Sequence, residues 1–421
     1  MKDEIRMKEK WLTTMQVFDE YERRFSKARA ERIFRCPWKE DVRQQIVEET
    51  KEMLGYKESL MPTIHDMQEL ICVEYDTYKV SELRYQTWEH FYASASLYVP
   101  KVEEKVPLVF LCCGHGEHGR LSKGYMKMAH RLASLGMGVC VLDNIGQGDR
   151  VAFGHWDVIA PFYCGLTLQG MIVMETIAMI RHMQKDERFD SKRFGACGNS
   201  GGGTLTMFLC ALAPELAVIS SSGYPSEVPY LLQKERKHCA CNLLPGVAYG
   251  PDMWEIYSAF APKPLLLEQG KFDHLIPYDL ARRNIRKVEH TYLQLDAKEE
   301  FEFEITQTRH SWEVVDMNRI SSFLAENLLK VKPEDAKEED FVLIEDIQPL
   351  CVEMPNDALT TEEAAQRLMG VDMPEGTTLQ DVYPPTYNGK IITADMVIED
   401  IGRGEVMRVW AQMECALKGG E

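Results

Sequence analysis

The spacing of apolar and polar residues differs between successive segments of the chain. Residues 1–60 carry charged side chains among apolar ones at spacings of three and four, which predicts helices packed on a larger body. From about Glu69 to Pro100 the runs LICVEY, LRYQTW and FYASASLYV predict antiparallel strands. From Val106 onward, apolar runs of strand length alternate with longer helical patterns. The chain is therefore predicted to begin with helices and to continue into a sheet.

The alternation after Val106 predicts a mostly parallel sheet. The predicted strands are PLVFLCC, GVCVLD, RFGACG, LAVISSS, PLLLEQG and FEFEIT, with a further strand-like run TYLQL before Asp296. Strands that alternate with helices are typical of an α/β fold in which helices cover both faces of the central sheet. Ligands of such folds bind at the carboxyl ends of the strands, so candidate residues are expected there.

An acidic, proline-containing stretch near Lys330, VKPEDAKEED, has the composition of a linker. We therefore predict three segments: an N-terminal helical extension (1–68) packed on the core, an α/β domain (69–330), and an acidic linker with a C-terminal module (331–421). Within the last segment, the Thr-Thr-Glu-Glu pattern predicts a helix after Thr361, and a final helix is predicted from about Ala394 to Leu417. We assign no function to this module.

The formal net charge of −18 argues against a nucleic-acid binder, which needs clustered Lys and Arg. The amino terminus lacks the apolar stretch of a secretory signal, and no window reaches the roughly 20 apolar residues that cross a bilayer. We therefore expect a cytoplasmic protein without a membrane partner, and homo-oligomerisation is left open.

Twelve cysteines are scattered along the chain, many of them in strand-like runs, which favours reduced and buried thiols. Cys239 and Cys241 are spaced like metal ligands, but no second pair of matching spacing completes a zinc site. A structural role is therefore predicted for both, and no metal site or cofactor is expected.

The segment Gly198-Asn-Ser200-Gly-Gly202 fits the pattern G-x-S-x-G. It follows the apolar run KRFGACG and precedes the apolar pattern LTMFLCALA, which is the strand, sharp turn and helix of a nucleophile elbow. The glycines allow a strained turn and close packing of strand and helix. A glycine-rich turn with an incidental serine is the alternative, but the context favours Ser200 as a nucleophile.

A serine hydroxyl needs a histidine base and a carboxylate that orients it. Asp273 follows the predicted strand PLLLEQG, and His310 follows FEFEIT, so both fall on strand-end loops. The chain order Ser, Asp, His is the one used by hydrolases with this elbow. Asp296 is the competing acid and His274 the competing base, and we predict Ser200, Asp273 and His310 as the catalytic residues.

Other site residues are predicted from the loops around the elbow. The oxyanion hole is assigned to the backbone N–H of Gly201 together with that of Gly116 or Glu117, because glycines in that loop admit a substrate. Candidate substrate-binding residues are His115, Arg150 and Trp312. A role in shaping the loop is the alternative for His115, and a structural salt bridge is the alternative for Arg150.

The motifs GHG, DNIGQGDR, GNSGGGT, SSGY, HCACNLLPG, FAPKPLLLEQGKFD and RHSW together resemble the acetyl xylan esterase-like branch of the α/β-hydrolase superfamily. The resemblance spans roughly residues 10–330 and implies a cofactor-free esterase whose triad maps onto Ser200, Asp273 and His310. We therefore predict a serine esterase of short-chain, acetyl-type esters with a small ester or acylated sugar as substrate. A serine peptidase of the same fold and a non-catalytic binding protein are the alternatives.

Overall fold

The computed structural model describes residues 35–156, 158–228, 230, 240–244, 250–342, 344–382, 386–387 and 390–391. The helices predicted before residue 35, the helix predicted from Ala394 to Leu417, and Cys239 lie outside the described residues. Two short strands, Thr386–Tyr387 and Lys390–Ile391, pair with each other.

One sheet organises the described residues. Its strands in chain order are β1 (His65–Glu74), β2 (Tyr78–Trp88), β3 (Phe91–Pro100), β4 (Val106–Cys112), β5 (Gly138–Leu142), β6 (Phe189–Asn199), β7 (Val218–Ser222), β8 (Leu265–Gly270) and β9 (Phe301–Thr306). They lie side by side in the order β1-β2-β3-β5-β4-β6-β7-β8-β9. The pairs β1/β2, β2/β3 and β3/β5 are antiparallel, and the remaining pairs are parallel.

Helices cover both faces of this sheet. The helices are α1 (Glu40–Leu54), α2 (Lys123–Ser134), α3 (Ala160–Tyr163), α4 (Leu168–Met183), α5 (Gly201–Leu212), α6 (Met253–Ser258), α7 (Tyr278–Gln294), α8 (Val314–Leu328), α9 (Thr361–Met369) and α10 (Leu379–Val382). Successive side chains of a strand point to opposite faces. Accordingly Leu108 and Phe110 pack with α4 and α5, whereas Val109 and Leu111 pack with α2 and α8. The predicted α/β fold, with a mostly parallel sheet covered on both faces, is confirmed.

The run TYLQL is not a strand. Its first four residues form the last turn of α7, which ends at Gln294. Thr291 and Tyr292 are buried while Leu293 is exposed, so the run presents one face to the core as a helix does. A short apolar run cannot be assigned to strand or helix from its composition, and here that prediction was wrong.

The chain after residue 330 packs on the α/β domain. Leu350 and Val352 are buried, and Arg120 donates from its guanidinium to the Leu350 carbonyl at 3.0 Å. The predicted helix after Thr361 is present as α9, with the capping box formed by Thr360 and Glu363. The division at residues 68 and 330 stays a prediction.

In the part of the chain that the structure describes, no helix is both long enough and apolar enough to span a membrane.

Candidate active site

The predicted nucleophile lies at the turn between β6 and α5. Ser200 has φ 59° and ψ −119°, a backbone conformation that residues with a side chain rarely adopt. Its N–H donates to the carbonyl of Ser222 in the neighbouring β7 at 3.1 Å, which holds the turn against the sheet. The strand, sharp turn and helix expected around this serine are all present.

Two glycines let other parts of the chain approach the turn. A Cβ atom on Gly202 would overlap the carbonyl oxygen of Cys112 at the end of β4. A Cβ on Gly114 would lie 2.6 Å from the carbonyl oxygen of Asn199 and 3.0 Å from the Cβ of Ser200. The helix start and the loop after β4 therefore both close on the serine, which requires glycine at these positions.

The three predicted catalytic side chains meet at the carboxyl ends of their strands. The Nε2 atom of His310 lies 2.7 Å from the Oγ atom of Ser200. The Nδ1 atom of His310 lies 2.6 Å from the Oδ2 atom of Asp273. These distances fit a neutral imidazole that donates from Nδ1 to the carboxylate and accepts the serine proton at Nε2.

The Asp273 carboxylate is buried but well supplied with donors. Its Oδ1 atom accepts from the N–H groups of Leu275 and Ile276, and its Oδ2 atom also accepts from the Gln269 amide at 2.8 Å. Burial acts to raise the pKa of Asp273, but the hydrogen bonds from His310 and from these neighbours bring the pKa below its ordinary value. The group is therefore a carboxylate at neutral pH, and its stabilising effect is lost only as the pH falls through this lowered pKa.

The competing acid and base lie elsewhere. Asp296 is exposed after the end of α7. The ring centroid of His274 lies 6.1 Å from that of His310, while His310 itself contacts Ser200. Neither rival occupies the position that the predicted pair fills.

The loop after β4, predicted to supply the second oxyanion donor, approaches the elbow at an earlier residue than expected. The N–H of Gly116 donates to the side-chain oxygen of Gln147 at 3.1 Å, and Gly114 is the loop residue that packs against Ser200. A Cβ on Gly201 would lie 3.0 Å from the Nδ1 atom of His115. His115 therefore lies beside the elbow, and the N–H of Gly116 is taken by Gln147, while the assignment of Glu117 stays a prediction.

His115 is part of a compact cluster with His155 and Cys241. Their ligand-type atoms lie within 4.8 Å of one another, with the two Nε2 atoms 2.9 Å apart. The sulfur of Cys241 takes part in a disulfide, so we assign no metal to the cluster. The prediction of reduced cysteines is wrong for Cys241.

Arg150 and Trp312 are both engaged by neighbours in the protein interior, so the structure does not support their assignment as substrate-binding residues. The guanidinium of Arg150 is buried and donates to both carboxylate oxygens of Glu175 at 2.8 and 2.9 Å. Trp312 is also buried, and its indole N–H donates to the hydroxyl of Ser222 at 2.7 Å. Arg150 therefore forms a buried ion pair with Glu175, and Trp312 supports the strand residue that holds the turn at Ser200.

Three supporting residues were not found by sequence reasoning. Gln269 holds the carboxylate of Asp273, and the hydroxyl of Tyr125 accepts the N–H of Gly114 at 2.5 Å. Trp156 lies against His115 at the site edge. Only Gln269 had a usable signal, since it lies near the end of a buried strand, shortly before the loop with the predicted acid.

Two buried carboxyl groups lie on elements that flank the triad. Glu268 in β8 accepts from the hydroxyl of Thr306, and Asp316 in α8 accepts from the hydroxyl of Thr308. Burial first, and then the charge of Asp316, raise the pKa of Glu268 well above its ordinary value. Burial likewise raises the pKa of Asp316. At least one proton is therefore retained by this pair above the usual carboxyl range.

Replacing Glu268 with glutamine is expected to stabilise the protein at high pH. A raised folded-state pKa stabilises the fold below the ordinary carboxyl pKa, and this contribution is lost as the pH rises through the folded value. Glutamine cannot ionise, so the variant should exceed the wild type by on the order of 1 kcal/mol in unfolding free energy at pH 8.5, and by less at pH 5. Urea unfolding at both pH values measures this.

The exposed Glu299→Gln variant is the control and should show no such pH-dependent difference. A gain for Glu268→Gln that is larger at pH 5 than at pH 8.5 would contradict the direction of the pKa shift.

Comparison with known proteins finds a family model that is similar to the first part of this chain. The model of the family described as "Acetyl xylan esterase (AXE1)" matches residues 56–239. The matched range includes Ser200 and the loop after β4, and it ends before Asp273 and His310. Among curated proteins, the chain is similar to "Putative hydrolase YtaP" of Bacillus subtilis, with 27% identity over 192 residues. That match covers 42% of this chain and 64% of the relative, which is less than two thirds of its length.

Solved structures share the architecture at low sequence identity. The structure titled "Methylesterase BT1017" superposes with a TM-score of 0.58 and 17% identity, covering 93% of this chain and 81% of the other. The glucuronoyl esterase from Solibacter usitatus gives a TM-score of 0.54 and 12% identity, covering 69% of this chain and 93% of the other. At such identities the likeness shows the fold, which is that of the α/β hydrolases.

Proposed function

The chain resembles the acetyl xylan esterase-like branch of the α/β-hydrolase superfamily, and from this premise we propose that it is a serine esterase of short-chain, acetyl-type esters. Acylated carbohydrates are the proposed substrate class. One observation carries the proposal: Ser200, His310 and Asp273 form a continuous hydrogen-bonded chain at the tip of a strained turn. The family match over residues 56–239 supports the ester as the bond that is cleaved.

Acylation begins at the serine hydroxyl. His310 takes the proton from Ser200 at Nε2 while Oγ attacks the ester carbonyl, and Asp273 stabilises the imidazolium that forms. The tetrahedral intermediate then collapses, the bond from carbonyl carbon to alcohol oxygen breaks, and His310 returns the proton to the departing alcohol. The product of this half-reaction is an acyl group on Ser200.

Charge on the carbonyl oxygen is stabilised by backbone donors. We assign the first donor to the N–H of Gly201, which opens α5 and benefits from the positive end of that helix. The second is assigned to the N–H of His115, because the loop that carries it closes on the elbow. Tyr125 supports this arrangement by binding the N–H of Gly114.

Water completes the cycle by the same steps in reverse. His310 takes a proton from water, the resulting nucleophile attacks the acyl carbon, and the carboxylic acid leaves as Ser200 recovers its proton. The proposed mechanism uses the side chains and backbone of this chain together with water.

A panel of esters tests the proposal. The wild type should hydrolyse p-nitrophenyl acetate faster than the butyrate and octanoate esters, and it should release acetate from acetylated xylobiose. The matched amide is p-nitroacetanilide, in which the same acetyl group is bonded to p-nitroaniline. Turnover of that amide without turnover of the acetate ester would contradict an esterase and favour a peptidase.

A further inference from the structure

A large aromatic side chain stands exposed beside the proposed active site. Trp156 lies in the loop that follows β5, at the carboxyl edge of the sheet, and 58% of it is exposed. Its ring centroid lies 5.3 Å from that of His115 and 5.6 Å from that of His155. Single exposed apolar residues are common on protein surfaces, so a binding role for Trp156 depends on its position and on the groups that hold it.

The imidazoles of His115 and His155, which contact the indole, are fixed by hydrogen bonds to each other and to the backbone. The Nδ1 atom of His155 lies 2.7 Å from the carbonyl oxygen of Ile145, to which it donates. The Nε2 atom of His155 therefore accepts, and the Nε2 atom of His115 donates to it at 2.9 Å. The aromatic surface under Trp156 is thus fixed by a chain of hydrogen bonds.

This surface carries no charge at neutral pH. Burial, and then the neighbouring His155, lower the pKa of His115 to about 4. Burial also lowers the pKa of His155. An uncharged aromatic surface suits a neutral ligand group better than an ionic one.

The same loop is held from outside by the chain after residue 330. The carboxylate of Glu362 accepts the N–H groups of Ile159 and Ala160 at 2.8 and 2.5 Å. The hydroxyl of Thr361 donates to the carbonyl of Gly154 at 3.0 Å. Because Trp156 lies between these attachment points, its backbone is anchored on both sides in sequence.

The position of Trp156 relative to the nucleophile fits the alcohol part of an ester. The His115 ring contacts both the indole and the elbow, since its centroid is 5.3 Å from that of Trp156 and its Nδ1 atom is 3.0 Å from where a Cβ of Gly201 would be. A substrate whose acyl carbon contacts Ser200 and whose carbonyl oxygen points at Gly201 can extend its alcohol part past His115 toward this edge. The indole is then within reach of the group that leaves.

We propose that Trp156 is a stacking platform for the sugar ring on the alcohol side of the ester. A pyranose presents an apolar face of C–H groups, which gains dispersion contacts and electrostatic attraction from the electron-rich face of an indole. An anchored ring loses little freedom when the sugar binds, so more of the interaction appears as binding. This inference rests on the proposed esterase function and names the residue that gives preference for carbohydrate esters.

The test compares two acetates that share the acyl group and differ in the alcohol. kcat/KM is measured for acetylated xylobiose and for ethyl acetate, because a nitrophenyl ring could itself stack on the indole. In Trp156→Ala the kcat/KM for acetylated xylobiose, divided by that for ethyl acetate, should fall about tenfold or more. Trp156→Phe should recover part of this ratio. Unesterified xylobiose should inhibit ethyl acetate hydrolysis by the wild type. In Trp156→Ala this inhibition should be weaker, with a larger inhibition constant.

Val151→Ala is the control, since Val151 is an exposed apolar residue that also follows β5. It should leave the ratio unchanged. An unchanged ratio in Trp156→Ala would overturn the platform while leaving the esterase intact. A wild type that hydrolyses neither acetate would contradict the proposed function itself, and the two failures are therefore distinguishable.

Discussion

Replacing Ser200 with alanine is expected to lower kcat for p-nitrophenyl acetate by on the order of a million-fold. The alanine keeps the strained turn and the backbone donors but removes the atom that forms the acyl intermediate. Binding and the oxyanion hole alone leave only a small residual rate. Initial rates at saturating ester, with circular dichroism to verify folding, measure the loss.

Ser311→Ala is the matched control for this substitution. Ser311 is an exposed serine directly after His310, so its loss should change kcat by less than about twofold. A folded Ser200→Ala protein that keeps a substantial fraction of wild-type kcat would place the nucleophile elsewhere.

Replacing Asp273 with asparagine is expected to lower kcat by about ten-thousandfold. The Oδ1 position can still accept from Leu275 and Ile276, so the loop should keep its shape. The amide nitrogen cannot accept from His310, which then presents the wrong tautomer to Ser200. Because aspartate and asparagine have the same number of heavy atoms, the protein should stay folded and the loss should appear in kcat, while thermal stability at neutral pH falls modestly as the stabilising charge is removed.

The exposed Asp279→Asn variant, in the first turn of α7, controls for loss of a negative charge near the site. It should retain wild-type kcat. An Asp273→Asn enzyme with a rate near that of the wild type would mean that another group orients His310.

The elbow and the two strand-end residues could be predicted because their signals are local. Ser200 lies within one glycine-rich segment between an apolar strand and an apolar helix. Asp273 and His310 each follow an apolar run of strand length, and parallel strands deliver their carboxyl ends to one edge. Topology therefore brought together residues that are far apart in sequence.

The residues that were misassigned depend on distant partners. Arg150 follows a strand end like a binding residue, but its role is set by Glu175 on α4, which pairs with it in the interior. Likewise, the register of the loop after β4 is fixed by Gln147, which binds Gly116 and leaves His115 at the elbow. No local pattern encodes these contacts, because each forms only when separate elements pack.

The cluster at the site edge was hidden for the same reason. His115, His155 and Cys241 come from three segments, and only the folded chain places their side chains together. The role proposed for Trp156 depends on that arrangement, because the sequence alone does not show which side chains contact a tryptophan in a loop.

The site of reaction with a fluorophosphonate probe tests directly whether Ser200 is the activated nucleophile. The probe is incubated with the wild type and with Ser200→Ala and His310→Ala, and the adduct is located by peptide mass spectrometry. We expect one adduct on Ser200 in the wild type, none in Ser200→Ala, and much slower labelling in His310→Ala. Labelling of a different residue, or a folded wild type that reacts no faster than His310→Ala, would contradict a Ser200 nucleophile activated by His310.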